Sequence, residues 1–290
     1  MPVCKLTWLR MRPVFMKAQE RALADRILLS ANHRNINECV RLAQDFNLGI
    51  EIMAFAFPDA LDGDWKALTE QYRKLLRPVT GMLSMHGPFM DMAPGSPDSQ
   101  INQVCIERYQ HAIRIANDLG IGLVVFHANF IAAIHTVEYR MNWHNRNVRF
   151  WAPMADYARQ YGVTIAVENM WEFDPNIIGD VVRDVAHPNL GCCLDVGHAH
   201  LFGEVPFQDW LTALEPMLVH THMNNNDGKI DIHMGLTHGV LNYPDILKQV
   251  RALSTPPSST LEMDEVDFMR ASLPYLDLGQ PVLTPPKPNI

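Results

Sequence analysis

The chain has 290 residues, of which 48% are hydrophobic, and it carries a formal net charge of −8 at neutral pH. This length can bury one large core of the size that a (β/α)8 barrel needs. An acidic balance gives no general attraction to nucleic acid or to an anionic membrane surface. We therefore expect a single α/β domain whose partners are neither nucleic acids nor membranes.

The start of the chain and its cysteines indicate a cellular compartment. Lys5, Arg10 and Lys17 interrupt the apolar residues near the start, so the pattern of an export signal is missing there. The five cysteines are odd in number and lack a C-x-x-C spacing. Cys192 and Cys193 adjoin in an apolar run, where they would point to opposite faces of a strand. We expect a reduced, cytoplasmic protein.

Short apolar runs alternate with segments of helical periodicity from residue 26 onward. This alternation predicts βαβ units, and eight of them close into a TIM barrel. The predicted organisation is an N-terminal extension over 1–25, a single barrel domain over 26–275 and a proline-rich tail over 276–290. The predicted strands are Arg26–Ser30, Leu48–Phe55, Met82–Pro88, Ile121–Ala128, Val163–Met170, Leu190–Val196, Met217–Met223 and Ser259–Asp264.

One predicted helix follows the third strand, and one segment departs from the repeat. Apolar residues recur at helical spacing from Ile101 to Ala116, with Ser96 and Pro97 expected as the cap and first turn. From Leu273 onward the chain is rich in proline, so we expect extended or disordered chain there.

Side chains that can bind metals recur where the predicted strands end. The carboxyl ends of parallel barrel strands meet at one mouth, where barrel enzymes have their active sites. Strands three to eight each supply such residues, either near the strand end or in the loop that follows. These residues are His86, His127, Glu168, Asp195, His198, His220, His222, Asp231, His233 and Glu262.

Three of these residues, Glu168, Asp195 and Glu262, are carboxylates embedded in apolar strands. An unpaired buried carboxylate is very costly, and three at one mouth would repel each other. A divalent cation compensates them, and mixed carboxylate and imidazole ligands suit zinc, manganese, iron or cobalt. A lone histidine at a strand end is more often a hydrogen-bonded structural residue. The carboxylates therefore carry the prediction of a metal site.

At these residues the sequence resembles the xylose isomerase-like TIM-barrel superfamily, which includes sugar isomerases, epimerases and the endonuclease IV proteins. The resemblance covers residues 26 to 275 approximately, and its motifs are specific together although weak singly. They are HGPFMDMAPGSPD at 86–98, VVFH at 124–127, VEN at 167–169, CLDVGHAHLFG at 193–203, HTHMNNNDGKIDIH at 220–233 and LEMD at 261–264.

The resemblance implies a ligand set. In the sugar-transforming members, Glu, Asp, His and Glu from strands five to eight hold the metal, which here implies Glu168, Asp195, His222 and Glu262. Endonuclease IV proteins hold three zinc ions. The further ligands that this second resemblance implies are His86, His127, His198, Asp231 and His233.

Two loops depart from the family pattern. Thr237, His238 and Gly239 stand where the resembling proteins usually have a Gly-acid-Gly turn. After the strand-four histidine the endonuclease pattern is Pro-Gly-Ser-His, whereas this chain has the segment 128–131, Ala-Asn-Phe-Ile. A loop that grips phosphate is therefore not evident in the sequence.

The leading hypothesis is a metal-dependent isomerase or epimerase acting on a sugar or a sugar derivative. The metal would polarise adjacent hydroxyl and carbonyl oxygens and acidify the C–H bond between them. Glu168 and Glu262 would exchange the proton as catalytic residues, while His198 and Trp171 would contact the carbohydrate. The cofactor would be one firmly bound Zn, Mn, Co, Fe or Mg ion. The presence of a second or a third ion is left open. Whether the protein forms a homo-oligomer is left open too.

Two alternatives remain. One is an endonuclease IV-like zinc phosphoesterase, which the complete ligand set supports. Against it stand the acidic balance, the acidic segment from Asp59 to Asp64 and the altered strand-four loop. The one basic cluster expected near the mouth consists of Arg140, Arg146 and Arg149. A position on a solvated helix face would also account for Arg146 and Arg149, without any role in binding nucleic acid. The other alternative is a non-catalytic barrel that binds a metal or a sugar.

Overall fold

Eight parallel strands close into a barrel in the computed structural model, which describes residues 26–278. The strands pair in chain order, and the last strand pairs with the first. This confirms the predicted fold class. The strands are β1 Ile27–Ala31, β2 Gly49–Ile52, β3 Leu83–His86, β4 Leu123–His127, β5 Thr164–Glu168, β6 Leu190–Asp195, β7 Leu218–Met223 and β8 Ser258–Leu261.

Helices follow the strands and cover the outside of the barrel. Several are amphipathic, with their apolar stripe buried against the strands. They are α1 Ile36–Phe46, α2 Pro58–Asp62, α3 Trp65–Leu76, α4 Ser99–Asp118, α5 Val137–Gln160, α6 Asn176–Val185, α7 Val196–Phe202, α8 Phe207–Leu214, α9 Tyr243–Arg251 and α10 Val266–Ser272. Within residues 26–278, none of these helices is long and apolar enough to cross a bilayer.

The strands separate two layers of core. Outside, Phe126 of β4 stacks on Tyr109 of α4 with ring centroids 4.1 Å apart. Inside, Val125 packs with Cys193 and neighbouring apolar residues. The adjacent Cys192 belongs to the outer core, so the two cysteines face opposite sides of the sheet as predicted.

The same alternation brings the polar residues to the mouth. Inside the barrel, Ala166 of β5 is followed two residues later by Glu168, and Cys193 of β6 is followed two residues later by Asp195. Side chains two residues apart share a face of a strand. Each of these strands therefore carries an apolar residue within the barrel and a carboxylate one step nearer the mouth.

The end of the described chain differs from the sequence expectation. Instead of extended chain from Leu273 onward, Leu273–Leu276 forms a 3-10 helix after α10. Leu273, Leu276 and Leu278 are buried. Proline fits the first turn of such a helix because its missing N–H needs no partner there, so the proline content did not exclude regular structure. The predicted segment 1–25 and residues 279–290 lie outside the described residues.

The cap of α4 also differs from the expected one. Asp98, rather than Ser96, precedes the helix, and its Oδ1 accepts hydrogen bonds from the backbone N–H groups of Gln100 and Ile101. Ser96 instead accepts a hydrogen bond from the N–H of Asp98. The helix thus begins two residues later than its sequence suggested, at the residue whose carboxylate can satisfy two backbone donors.

We predict that Asp98→Ala lowers the free energy of unfolding by about 1 kcal/mol, because α4 loses its capping acceptor. Ser96→Ala is the control, with an expected loss below about 0.5 kcal/mol. Urea denaturation of both variants measures these values. A larger loss for Ser96→Ala would contradict the cap assignment.

Candidate metal centre

The nine candidate ligands form one connected cluster at the carboxyl end of the barrel. Glu168 lies at its centre. Its Oε2 is 3.4 Å from His86 Nε2 and 3.2 Å from His127 Nε2, while its Oε1 is 2.9 Å from His222 Nδ1. One carboxylate from β5 thus faces histidines from β3, β4 and β7.

Both carboxylate oxygens of Asp195 accept hydrogen bonds. It caps α7 by accepting a hydrogen bond from the N–H of His198 at 2.6 Å, and its second oxygen accepts one from Asn224 Nδ2 at 2.8 Å. Asn169, which follows Glu168 in the chain, exchanges two hydrogen bonds with the backbone of Asp195. These contacts fix the ends of β5 and β6 against each other.

Three ligand candidates form a second group beside this centre. His198 Nε2 lies 3.2 Å from Asp231 Oδ2, and His233 Nε2 lies 3.4 Å from Asp231 Oδ1. His233 Nδ1 is also 3.8 Å from Glu262 Oε2. The group therefore adjoins the carboxylate of β8.

The loop that carries Asp231 and His233 folds back over the mouth. Asn225 and Met234 pair as an isolated antiparallel bridge, and the Asn225 side chain bonds the backbone of Leu236 and Leu241. A Cβ atom on Gly239 would lie 2.2 Å from Asn225 Oδ1. The turn Thr237-His238-Gly239 therefore has a glycine at a position where a Cβ atom would clash with the side chain of Asn225.

His220 and His222 share a face of β7 but have different surroundings. His222 Nδ1 lies between two carboxylates, 2.9 Å from Glu168 Oε1 and 3.1 Å from Glu262 Oε2. His220 lies deeper, where its ring nitrogens contact the hydroxyl groups of Ser258 and Thr260. Only His222 faces the candidate metal ligands of β5 and β8.

The structure adds one residue that the sequence analysis missed. Glu51 of β2 is fully buried, and its carboxylate contacts both histidines of β7. It stands in the run Gly49-Ile50-Glu51-Ile52, a carboxylate embedded in an apolar strand. The same signal as that of Glu168 is present, but Glu51 lies one step below the strand end, where the other candidate ligands are found.

Burial and neighbouring charges oppose each other throughout the cluster. Burial disfavours the charge of Glu168, but His222 and His127 hold its pKa well below the usual value. Burial likewise disfavours the charge of His198, but Asp195 and the carboxylate of Asp231 raise its pKa to about 10. Burial prevails at three groups, since it raises the pKa of Asp195 to about 7 and lowers the pKa of His127 and of His220. Positive charge is therefore favoured beside Glu168 and at His198, but not at every histidine of the mouth.

The donor set fits a divalent cation. Oε2 of Glu168 and Oε2 of Glu262 are buried and have no hydrogen-bond partner among the described residues. Orphaned carboxylate oxygens at this depth are costly unless a cation compensates them. Groups of three ligand atoms lie within 4.8 Å of one another, among them His86, His127 and Glu168, and also His198, Asp231 and His233. Buried histidine and carboxylate side chains of this chain could thus bind a metal.

Aromatic side chains form one wall of the mouth. The ring of Phe89 lies 4.9 Å from that of His127 and 5.1 Å from that of His86, between centroids. Phe57, half exposed, meets Phe89 edge to face at 5.8 Å. Trp171 is exposed in the loop after β5. An apolar surface thus leads from solvent toward the histidines of β3 and β4.

The basic cluster predicted near the mouth is largely engaged in contacts within the protein. Arg140 pairs with Asp174, with N–O distances of 2.5 Å and 3.1 Å. Arg146 donates a hydrogen bond to the carbonyl oxygen of Gly95 at 2.8 Å. Arg149 is exposed on α5. These arginines do not form a continuous free cationic surface.

The model of the xylose isomerase-like TIM-barrel family matches residues 35–277, nearly the whole described barrel. The chain belongs to this family. Two curated relatives are uncharacterized proteins of Methanocaldococcus jannaschii. One is 27% identical over 176 residues, 58% of this chain, and the match spans only 60% of that relative. The other is 21% identical over 71% of this chain and 82% of the relative.

Solved structures share the fold. The TTHB071 protein from Thermus thermophilus, in a structure obtained by soaking with ZnCl2, is 28% identical with a TM-score of 0.73, covering 87% of this chain and 96% of that one. A D-tagatose 3-epimerase-like protein is 21% identical with a TM-score of 0.72, covering 87% and 97%. The 3-keto-D-glucoside 4-epimerase YcjR from E. coli is 14% identical with a TM-score of 0.67, covering 87% and 97%.

We predict that His222→Ala weakens zinc affinity by more than about 100-fold, because it removes the nitrogen that faces Glu168 and Glu262. His220→Ala, the matched control on the same face of β7, should weaken it by less than about 10-fold. Calorimetric titration in competition with a chelator measures both affinities. The opposite order would show that the wrong histidine has been assigned.

Proposed function

We propose that this protein is a divalent-metal-dependent isomerase or epimerase of a sugar or sugar derivative. The observation that carries the proposal is the arrangement of Glu168 and Glu262 around His222 Nδ1, at 2.9 Å and 3.1 Å. Both carboxylates are buried at the mouth, and each has an oxygen without a hydrogen-bond partner among residues 26–278. Two carboxylates so placed suit proton transfer at a substrate carbon.

Glu168, Asp195, His222 and Glu262 would hold the main ion. When bound, a divalent ion polarises a substrate carbonyl and the neighbouring hydroxyl oxygen, which lowers the pKa of the C–H bond between them. The soaking of the related Thermus protein with ZnCl2 makes zinc the first metal to test. Manganese, cobalt, iron and magnesium remain candidates for the same donor set.

The chain's own residues would then move the proton. One of the two carboxylates, Glu168 or Glu262, takes the proton from the substrate carbon, and the other returns a proton to the opposite face. Their positions on β5 and β8, on either side of β6 and β7, let them approach a carbon from two directions. Since Asp195 has both oxygens hydrogen-bonded, it serves as a fixed anchor.

The surroundings of the site support a carbohydrate substrate. The wall of Phe57 and Phe89 can pack against the C–H face of a sugar, while His198 lies in α7 after β6 and Trp171 lies in the loop after β5. Among the solved structures with this fold, several are of sugar epimerases. The acidic balance of the chain and the engaged arginines Arg140 and Arg146 favour a small molecule over nucleic acid.

We predict that Glu262→Gln lowers turnover by at least about 100-fold with the fold intact, because proton transfer by a positioned group contributes about that much. The control is Glu265→Gln, which changes an exposed residue three positions further on. Turnover is measured over a panel of ketoses and keto-inositols, with deuterium uptake from solvent at the reacting carbon. Activity of Glu262→Gln above a tenth of wild type would contradict the assignment of Glu262 as a proton-transferring residue.

A second function has one specific observation in its favour. The two outer ligand groups, His86 and His127 with Glu168, and His198 with Asp231 and His233, would let the mouth hold three ions. A centre of that kind suits metal-assisted hydrolysis of a phosphoester. The number of bound ions therefore separates this function from isomerisation more directly than any single residue.

Elemental analysis of wild type and of the His86→Ala/His127→Ala double variant measures that number. For an isomerase with one main ion, both proteins should bind one ion per chain, and the two histidines would then contact substrate. A count that falls from two or three ions in wild type would favour hydrolysis. The isomerase assignment would then stand only if sugar products are found.

A further inference from the structure

A buried polar layer lies inside the barrel directly beneath the candidate metal ligands. Its central residue is Glu51 of β2, which is fully buried. Strand β2 does not pair with β7 in the barrel, where β1 and β8 lie between them. The contact of Glu51 with the histidines of β7 therefore crosses the barrel interior.

One oxygen of Glu51 is saturated with partners. Oε2 accepts hydrogen bonds from Ser84 Oγ at 2.6 Å and from Thr260 Oγ1 at 3.0 Å, and His220 Nε2 lies 3.1 Å away. These partners come from β3, β8 and β7. Because three strands hold this oxygen, the plane of the carboxylate and the direction of its other oxygen are fixed.

The other oxygen of Glu51 faces the candidate ligand His222. Oε1 lies 2.9 Å from His222 Nε2, close enough for a hydrogen bond but not aligned as one, and neither atom has a hydrogen-bond partner among the described residues. The opposite ring nitrogen, Nδ1, points to Glu168 and Glu262. The imidazole thus lies between a buried carboxylate below and the candidate ligand carboxylates above.

A neutral imidazole carries its proton on one nitrogen only, and a nitrogen that binds a metal must present its lone pair. If Nδ1 of His222 is the ligand, the proton has to reside on Nε2. The Nε2–H group can then donate a hydrogen bond to Glu51 Oε1. A carboxylate placed behind a ligand histidine both selects this tautomer and makes the ring a stronger donor to the metal.

We propose that Glu51 is the positioning residue of the metal centre, holding His222 with Nδ1 toward the ion and adding a buried negative charge beneath it. The proposal rests on the metal site of the proposed function but not on the identity of the sugar. It assigns a role to a residue outside the nine candidate ligands.

Glu51→Gln is the sharpest test because the two ends of its amide differ. The side facing Ser84, Thr260 and His220 meets three donors, so the amide oxygen should turn toward them. The amide NH2 then faces His222 Nε2 and favours a proton on Nδ1, the atom that the metal needs. We expect zinc affinity to fall about 10- to 100-fold, which is typical of changes to a partner behind a ligand.

Two further variants separate positioning from general stability. Glu51→Asp keeps the charge but shortens the side chain, so it should fold even if the amide variant does not, and its zinc affinity should fall as well. Asn147→Ala removes buried hydrogen bonds to Trp143 and Trp151 within α5, away from the barrel interior. It should lower stability without changing zinc affinity beyond about 3-fold.

Chelator-competition calorimetry with zinc gives the affinities. Correlation spectra of 15N-labelled histidine give the tautomer of His222 in the zinc-loaded protein, which should carry its proton on Nε2 in wild type. Wild-type affinity in either Glu51 variant, or a proton on Nδ1 in zinc-loaded wild type, would overturn the proposal while leaving the proposed function intact. Absence of binding by wild type of zinc, manganese, cobalt, iron and magnesium alike would overturn both.

Discussion

Four carboxylates, those of Glu51, Glu168, Asp195 and Glu262, are buried within one barrel interior, and their mutual repulsion is the constraint on which the site depends. Charges at such depth must be compensated by hydrogen bonds, by protonated partners or by a cation. Hydrogen bonds suffice for Asp195, whereas Glu168 and Glu262 each keep an oxygen without a partner among the described residues. That imbalance is the reason for which we propose a metal centre here.

The barrel delivers these groups by simple geometry. Side chains two residues apart share one face of a strand, so each ligand near a strand end has an inward residue beneath it. On β4 and β6 these residues are the apolar Val125 and Cys193, whereas on β3, β7 and β8 they are the polar Ser84, His220 and Thr260. Beyond the strands, Asn225 ties back the loop that carries Asp231 and His233. The core stabilises the fold, and residues at or just after the ends of β3 to β8 form the candidate site.

Much of the fold and of the candidate site could be predicted from the sequence because the two-residue repeat of strands and the helical repeat are both local patterns. The eight strands and the ligand-type residues at their ends follow from short patterns. Glu51 carries the same local signal as Glu168, a carboxylate in an apolar strand, but it was missed because it lies one step below the strand ends. Its contacts with β7 across the barrel are visible only in the structure. The cap at Asp98 was missed because Ser96 and Asp98 are both good caps, and only backbone geometry decides between them.

The measurement that tests the metal centre most directly is anomalous X-ray scattering from crystals grown with zinc, collected on both sides of the zinc absorption edge. We expect a strong peak about 2.0 to 2.2 Å from an oxygen of Glu168, of Asp195 and of Glu262, and from Nδ1 of His222. If full zinc saturation gave no peak there, with the carboxylates bonded to protonated histidines instead, the account would be contradicted.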